Sequence, residues 1–180
     1  RLIFINLQKK YSNFYKINNL NNIAMNYQLD EIDKKILDFL VENTRMPFTE
    51  IAKQMDVSAG TIHVRVKKME DAGIILGSSL NIDYGKLDYH FTAFIGILLT
   101  KSNRTQEVLK ELASIPNVVE ASVISGKYNI FCKVRAQNTE DAKRIIYQID
   151  DIQDVMRTES MISMEEYLSD RNRLINAISI

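Results

Sequence analysis

The sequence predicts an α+β chain of two units, a trio of short helices followed by a β-α-β-β-α-β unit. Three observations predict it. Apolar residues recur at helical spacing through residues 30–72, with turn signals between the runs. Strongly apolar, β-type runs come only later, the first at Phe91–Thr100. From there, strand-like and helix-like stretches alternate in the order of a ferredoxin-like split βαβ unit.

The first helix is expected over residues 30–44. Asp30 can cap it, with Asp33 three residues on as a capping-box acid, and Ile32, Ile36, Leu37, Leu40 and Val41 form its apolar face. Pro47 forces a turn near Arg45 and Met46. A second helix runs from Phe48 to Met55, with Ile51, Ala52 and Met55 inward. Asp56 and Val57 make a short turn, and Ser58 caps a third helix with Ile62, Val66 and Met69 inward. Gly73 ends it. Residues 74–83 suit a short strand pair, a wing.

In the second unit, Phe91–Thr100 reads as a buried strand with apolar residues on both faces. Thr105–Ile115 is a helix broken by Pro116-Asn117, and Val118–Ser125 is a strand. Gly126–Asn129 is a turn, Ile130–Ala136 an alternating strand, Thr139 the cap of a helix bearing Ala142, Ile145, Ile146 and Ile149, and Val155–Ser163 a last strand. With helices on one face only, the sheet's other apolar face needs a partner. A second copy of the chain is the economical one, so a homodimer or higher homo-oligomer is expected. The expected boundaries are an extension at 1–28, a winged helix-turn-helix at 29–76, a linker at 77–88, a ferredoxin-like (ACT-like) domain at 89–165 and a tail at 166–180.

Composition narrows the function. The 180 residues, 46% hydrophobic and 26% charged, suit a water-exposed globular chain. No run approaches the roughly 20 apolar residues that span a bilayer, so no membrane partner is expected. Cys132 is the single cysteine, so neither an intrachain disulfide nor a CxxC site is available, and the expected setting is the reducing cytoplasm. The net charge is zero. Residues 1–24 carry Arg1, Lys9, Lys10 and Lys16 and no acid, while the remainder holds 19 bases against 23 acids. Any nucleic-acid contact must therefore come from a local basic patch. Residues 1–24 follow no sustained period and lack a signal-type cleavage site, so Met25 is the expected natural start. The alternative is a basic arm that touches DNA.

The strongest chemical signal is the stretch Thr49–Met69. Its small Ala52, tight turn and two helices match a helix-turn-helix, in which the first helix braces the second and the second offers a polar face to the major groove. Ser58, Ala59, Gly60, Thr61, His63, Val64, Arg65, Lys67 and Lys68 are the expected DNA-contacting set. Small residues at the helix start admit the backbone close to the bases, Thr61 and His63 can bond base edges, and Arg65, Lys67 and Lys68 can reach phosphates. The plainer alternative is a three-helix bundle with an ordinary solvated face.

The stretch Leu29-Asp-Glu-Ile-Asp-Lys-Lys-Ile-Leu37, the helix-turn-helix, and Arg65-Val-Lys-Lys-Met-Glu-Asp-Ala-Gly-Ile-Ile75 together resemble the leucine-responsive regulatory protein / AsnC family. Pro116-Asn-Val-Val-Glu120 and Ser125-Gly-Lys-Tyr-Asn-Ile130 extend the resemblance to about residue 165. It implies a transcription regulator that binds double-stranded DNA at a pseudo-palindromic operator, assembles as dimers or larger oligomers, and senses an amino acid or related metabolite. It also implies an effector site at Gly126, Tyr128 and Asn129. Two places depart from the family pattern. Asn129 stands where an acid is usual, and Asp56 where glycine is frequent. Read from its residues alone, the Gly126–Asn129 turn is an ordinary hairpin connection, and Cys132 is core packing.

A catalytic alternative is a siroheme-decarboxylase-like enzyme on the same two-domain layout, with His90 against a tetrapyrrole. Only His63 and His90 exist, no cluster has metal-ligand spacing, and no phosphate loop is present. The reading is therefore a non-enzyme that requires no cofactor and no metal.

Overall fold

The computed structural model describes residues 27–170 and 172–178. The expected extension before residue 27, with its start at Met25 or its basic arm, lies outside the described residues. The chain divides into two units, one running to Leu80 and taking in the residues from Asp170 onward, the other Asn81–Ser169. The end of the chain, expected as a separate tail, thus belongs in part to the first unit.

In the first unit, α1 (Glu31–Glu42) opens with a complete capping box. Asp33 N–H donates to Asp30 Oδ1 at 2.9 Å, and Asp30 N–H donates to Asp33 Oδ2 at 3.2 Å. Helix α2 (Phe48–Met55) starts after Pro47 and ends at Asp56, which takes the left-handed conformation at φ 53°. Aspartate tolerates that conformation better than most non-glycine residues. Helix α3 (Ala59–Asp71) is capped by Ser58, whose Oγ accepts from Thr61 N–H at 3.0 Å. Gly73, at φ 72°, closes it in a Schellman motif, with Gly73 N–H to Glu70 O and Ile74 N–H to Met69 O, both 2.9 Å.

The core of this unit is Ile36, Leu37, Ile51, Ala52, Ile62, Val66 and Met69, with Ile75 and Ile175 packed against it. Each large apolar side chain so buried contributes roughly 2 kcal/mol by leaving water. Phe39 packs here, whereas Val41, expected inward, is exposed.

No wing forms. Residues 74–83 contain no strand, and Leu76 and Leu80 are exposed. Gly77 interrupts the extended run at φ 137°, leaving apolar stretches too short to pair.

In the second unit, β1 (Phe91–Leu99), α4 (Thr105–Leu112), β2 (Val118–Val123), β3 (Ile130–Ala136), α5 (Thr139–Asp150) and β4 (Val155–Ile162) follow in the expected order. The sheet is antiparallel with strand order β2-β3-β1-β4. Ala93, Ile95, Ile97 and Leu99 of β1 and Ile130, Cys132 and Val134 of β3 face Val108, Leu112, Ala142, Ile145 and Ile149 of the two helices. The cap of α5 is Asn138, not Thr139. Asn138 is extended and its Oδ1 accepts from Asp141 N–H at 3.0 Å, which makes Thr139 the first helical residue.

The opposite sheet face carries Thr92, Phe94, Gly96 and Leu98 of β1. Phe131, Lys133 and Arg135 of β3 pair beside them, as do Arg157, Glu159 and Met161 of β4. Phe94 and Phe131 stack with centroids 5.9 Å apart.

Candidate nucleic-acid interface and ligand turn

Helix α3 offers a face whose residues arise from its period. With Ile62, Val66 and Met69 inward, Gly60, His63, Val64, Lys67 and Lys68 are exposed, and Ala59 and Thr61 are half-buried. Ser58 Oγ lies 2.8 Å from Thr61 Oγ1, so the cap also orients the Thr61 hydroxyl. Around Gly60, an added Cβ would meet only Ser58 Oγ, at 3.7 Å. The His63 ring sits 6.1 Å from the Phe48 ring at the start of α2.

The three basic residues do different work. Lys68 is exposed, and no ion-pair partner is placed at it among the described residues. Lys67 donates to Asp71 Oδ1 at 2.8 Å, and that hydrogen bond pushes its pKa up. Arg65, expected at a phosphate, turns onto the start of α1. Its Nη1 donates to Asp30 Oδ2 at 2.7 Å and to Asp33 Oδ1 at 2.8 Å. Asp33 is 1% exposed, and its second oxygen accepts from the Tyr27 hydroxyl at 2.9 Å. Asp33 first, then Asp30, pushes the Arg65 pKa upward. Arg65 is thus a strut between α3 and the start of α1. The capping-box acids were legible in the sequence, but their second partner, more than thirty residues on, was not.

The effector residues expected from sequence lie together at one end of the sheet. Gly126 has φ 116° and open space where a Cβ would point. Asn129 Oδ1 accepts from Leu99 N–H at 2.9 Å, and its Nδ2 donates to Ser102 Oγ at 3.2 Å. An acid at this position could accept from both the same amide and the same hydroxyl, so amide and carboxylate can serve one structural role here. The Tyr128 ring lies across Gly96. A Cβ on Gly96 would come within 2.7–2.8 Å of three ring atoms. The Tyr128 hydroxyl donates to Glu159, and Lys127 Nζ lies 2.6 and 2.8 Å from the same carboxylate. Lys127 foremost, then Tyr128, holds the Glu159 carboxyl below its ordinary range.

Gly96, Ser102 and Glu159 were not anticipated. A lone glycine inside an apolar strand signals a close approach, and Gly96 carried that signal.

Cys132 is 1% exposed, and burial pushes its thiol up to about 12. It is a packing residue. His90 is exposed, 3.9 Å from Asp88. No group of three or more His, Cys, Asp or Glu among the described residues could hold a metal ion. No helix among them is long and apolar enough to cross a membrane.

A capped recognition helix braced by a shorter one, followed by a four-stranded antiparallel sheet with two helices on one side, defines a helix-turn-helix regulator with a ferredoxin-like second domain. Residues 29–70 match the AsnC-type helix-turn-helix domain, and residues 92–173 match the Lrp/AsnC ligand binding domain. The chain belongs to the Lrp/AsnC family of transcription regulators. The regulatory protein AsnC of Haemophilus influenzae is 41% identical over 140 residues, 77% of this chain and 93% of that protein. Its Escherichia coli K12 counterpart is 38% identical over 141 residues, 78% and 93% of the two chains. The solved structure of E. coli AsnC superposes with a TM-score of 0.75 at 36% identity, over 79% of this chain and 97% of that one. A transcriptional regulator of Neisseria meningitidis, solved as an L-Met complex, shares the fold, with a TM-score of 0.75 at 19% identity over 80% and 95% of the chains.

Proposed function

We propose that this regulator reads a pseudo-palindromic double-stranded DNA site as a cytoplasmic homodimer or larger homo-oligomer, and that an amino acid tunes its affinity. The observation that carries the reading is the exposed face of α3. Small residues and Thr61 stand at its capped start, with His63, Val64 and Lys68 beyond, on a helix braced by Ile51, Ala52 and Ile62. Thr61 and His63 meet base edges, and Lys68 meets phosphate. Ser58, Ala59, Gly60 and Val64 allow close approach, and Lys67 contributes when it leaves Asp71.

The effector acts at Gly126, Tyr128 and Asn129. Gly126 exposes backbone groups, Tyr128 supplies an aromatic wall, and the Asn129 backbone is fixed by bonds to Ile97 and Ile124. The L-Met bound to the Neisseria protein supports an amino acid as the ligand class. Apolar Phe94, Phe131 and Leu98 on the sheet face opposite the helices support assembly through this unit. The chain acts as a regulator and not as an enzyme.

The test is a DNA-shift titration on the protein's own upstream region, with and without each of the twenty amino acids. Specific retardation that one or a few amino acids alter is the expected result. Equal binding to operator and random DNA would refute sequence reading. Indifference to every amino acid would refute the effector.

A further inference from the structure

Lys133 and Arg135 stand two residues apart on β3, so both project from the sheet face opposite the helices. Their side chains are 10% and 18% exposed. Two cations so far removed from water and so close together are tolerated only with a counter-charge. Each is backed by an aromatic ring. Lys133 Nζ is 5.7 Å from the Phe94 centroid, and Arg135 Cζ is 5.1 Å from the Tyr84 centroid. Arg135 Nη1 also donates to Thr92 Oγ1 at 3.2 Å.

The counter-charge is Glu166. One of its oxygens accepts from Lys133, and the other accepts from Arg135 Nη2 at 2.7 Å. Burial raises the Glu166 pKa, and hydrogen bonds from Lys133 and Arg135 outweigh that and hold it low. Glu120, the ladder partner of Lys133 on β2, lies in the same row.

Among the described residues, few other bonds hold the segment that carries Glu166. After Ser163 N–H donates to Thr92 O at 2.9 Å, residues 165–170 form no helix or strand, and Met164, Tyr167 and Leu168 are exposed. The bidentate carboxylate is the strap's anchor on the sheet.

We propose that Lys133, Arg135 and Thr92 form a carboxylate-binding cradle, that Glu166 is its resident ligand, and that the strap 163–169 is a latch which a free carboxylate can release. The cradle is independent of the Gly126–Asn129 turn, and its test requires neither DNA nor effector.

The experiment is carboxylate rescue in the full chain. Glu166→Ala removes the carboxylate that bridges the two poorly solvated cations, with Glu120 left beside Lys133. The melting temperature of the sheet unit should fall by roughly 5–10 °C. Sodium acetate at about 100 mM, near physiological ionic strength, should restore at least half of that loss, while chloride at equal ionic strength restores less. Glu165→Ala, one residue away, should show neither effect. In the unsubstituted protein, acetate should speed amide exchange in residues 163–169 as the latch is displaced. If Glu166→Ala does not fold, Glu166→Gln, which keeps the shape and loses the charge, is read in the same way. Equal rescue by chloride and acetate, or no loss of stability on removing the charge, would overturn the proposal.

Discussion

Arg65 on the recognition helix and Asp33 in the first turn of α1 share a 2.8 Å ion pair, and the Asp33 carboxylate is 1% exposed. A residue whose position invites a phosphate contact is thus paired inside its own domain. Arg65→Ala leaves the buried Asp33 carboxylate without its cation and should cost about 3 kcal/mol in urea unfolding. The salt dependence of DNA binding should stay unchanged below the melting range, because no phosphate contact is lost. A flattened slope would return Arg65 to the DNA.

Acid should weaken the same corner of the fold. The backbone N–H of Asp33 foremost, then the Arg65 guanidinium, holds the Asp30 carboxyl below its ordinary 3.8. A depressed folded pKa means stability that is fully present above the unfolded value and is lost as pH falls through the folded one. Asp30→Asn keeps the cap and removes the titration. Thermal melts from pH 5 down to pH 2 should show the unsubstituted protein more stable at the upper end. The two proteins should converge at the lower end.

Lys68 and Lys67 should separate in a salt titration. Lys68 has no internal partner among the described residues, whereas Lys67 is held by Asp71. Lys68→Ala should reduce the log–log salt slope of DNA binding by about 0.9. Lys67→Ala should reduce it by less, since leaving Asp71 offsets part of any phosphate contact. Equal slopes for both variants and the parent would move the phosphate contacts off this face.

Much of this architecture was legible beforehand, because its signals are local. Asp30, Ser58 and Gly73 act within a few residues of themselves, so the start of α1 and both ends of α3 could be read from spacing. Apolar alternation at Ile130, Cys132 and Val134 likewise fixed which side of β3 meets the helices. The pairs that stayed hidden share a cause. Arg65 with Asp33, Tyr128 with Gly96, and Glu166 with Lys133 are all long-range pairs whose partners no period reveals. The missing wing is a different error. Ile75, Leu80 and Ile82 suggested strands, but a strand needs a neighbour, and Gly77 breaks the run before one can form.

Gly96→Ala should disturb the ligand turn from the neighbouring strand. The new methyl would stand 2.7–2.8 Å from Tyr128 ring atoms, and the ring is tethered through its hydroxyl to Glu159. Overpacking of this kind costs about 1–3 kcal/mol. Amide exchange should quicken across residues 124–130, and Tyr128→Ala in the same background should recover stability by vacating the space. A fully stable Gly96→Ala protein with unaltered exchange would show that the ring is free to move.

Ile175 packs into the core built by Ile36, Ile51 and Ile62, although about ninety residues of a separate unit intervene in the chain. During synthesis the three helices emerge first and can associate at once, since domains fold as units while the chain is being made. Their hydrophobic cluster nonetheless stays open at the Ile175 position until the ribosome has produced the whole sheet unit and the segment after it. A chain stalled or cleaved between Ser169 and Ile175 would release a DNA-reading unit that is assembled but unsealed. Protein quality control would meet such a fragment as a marginally stable fold with an apolar gap.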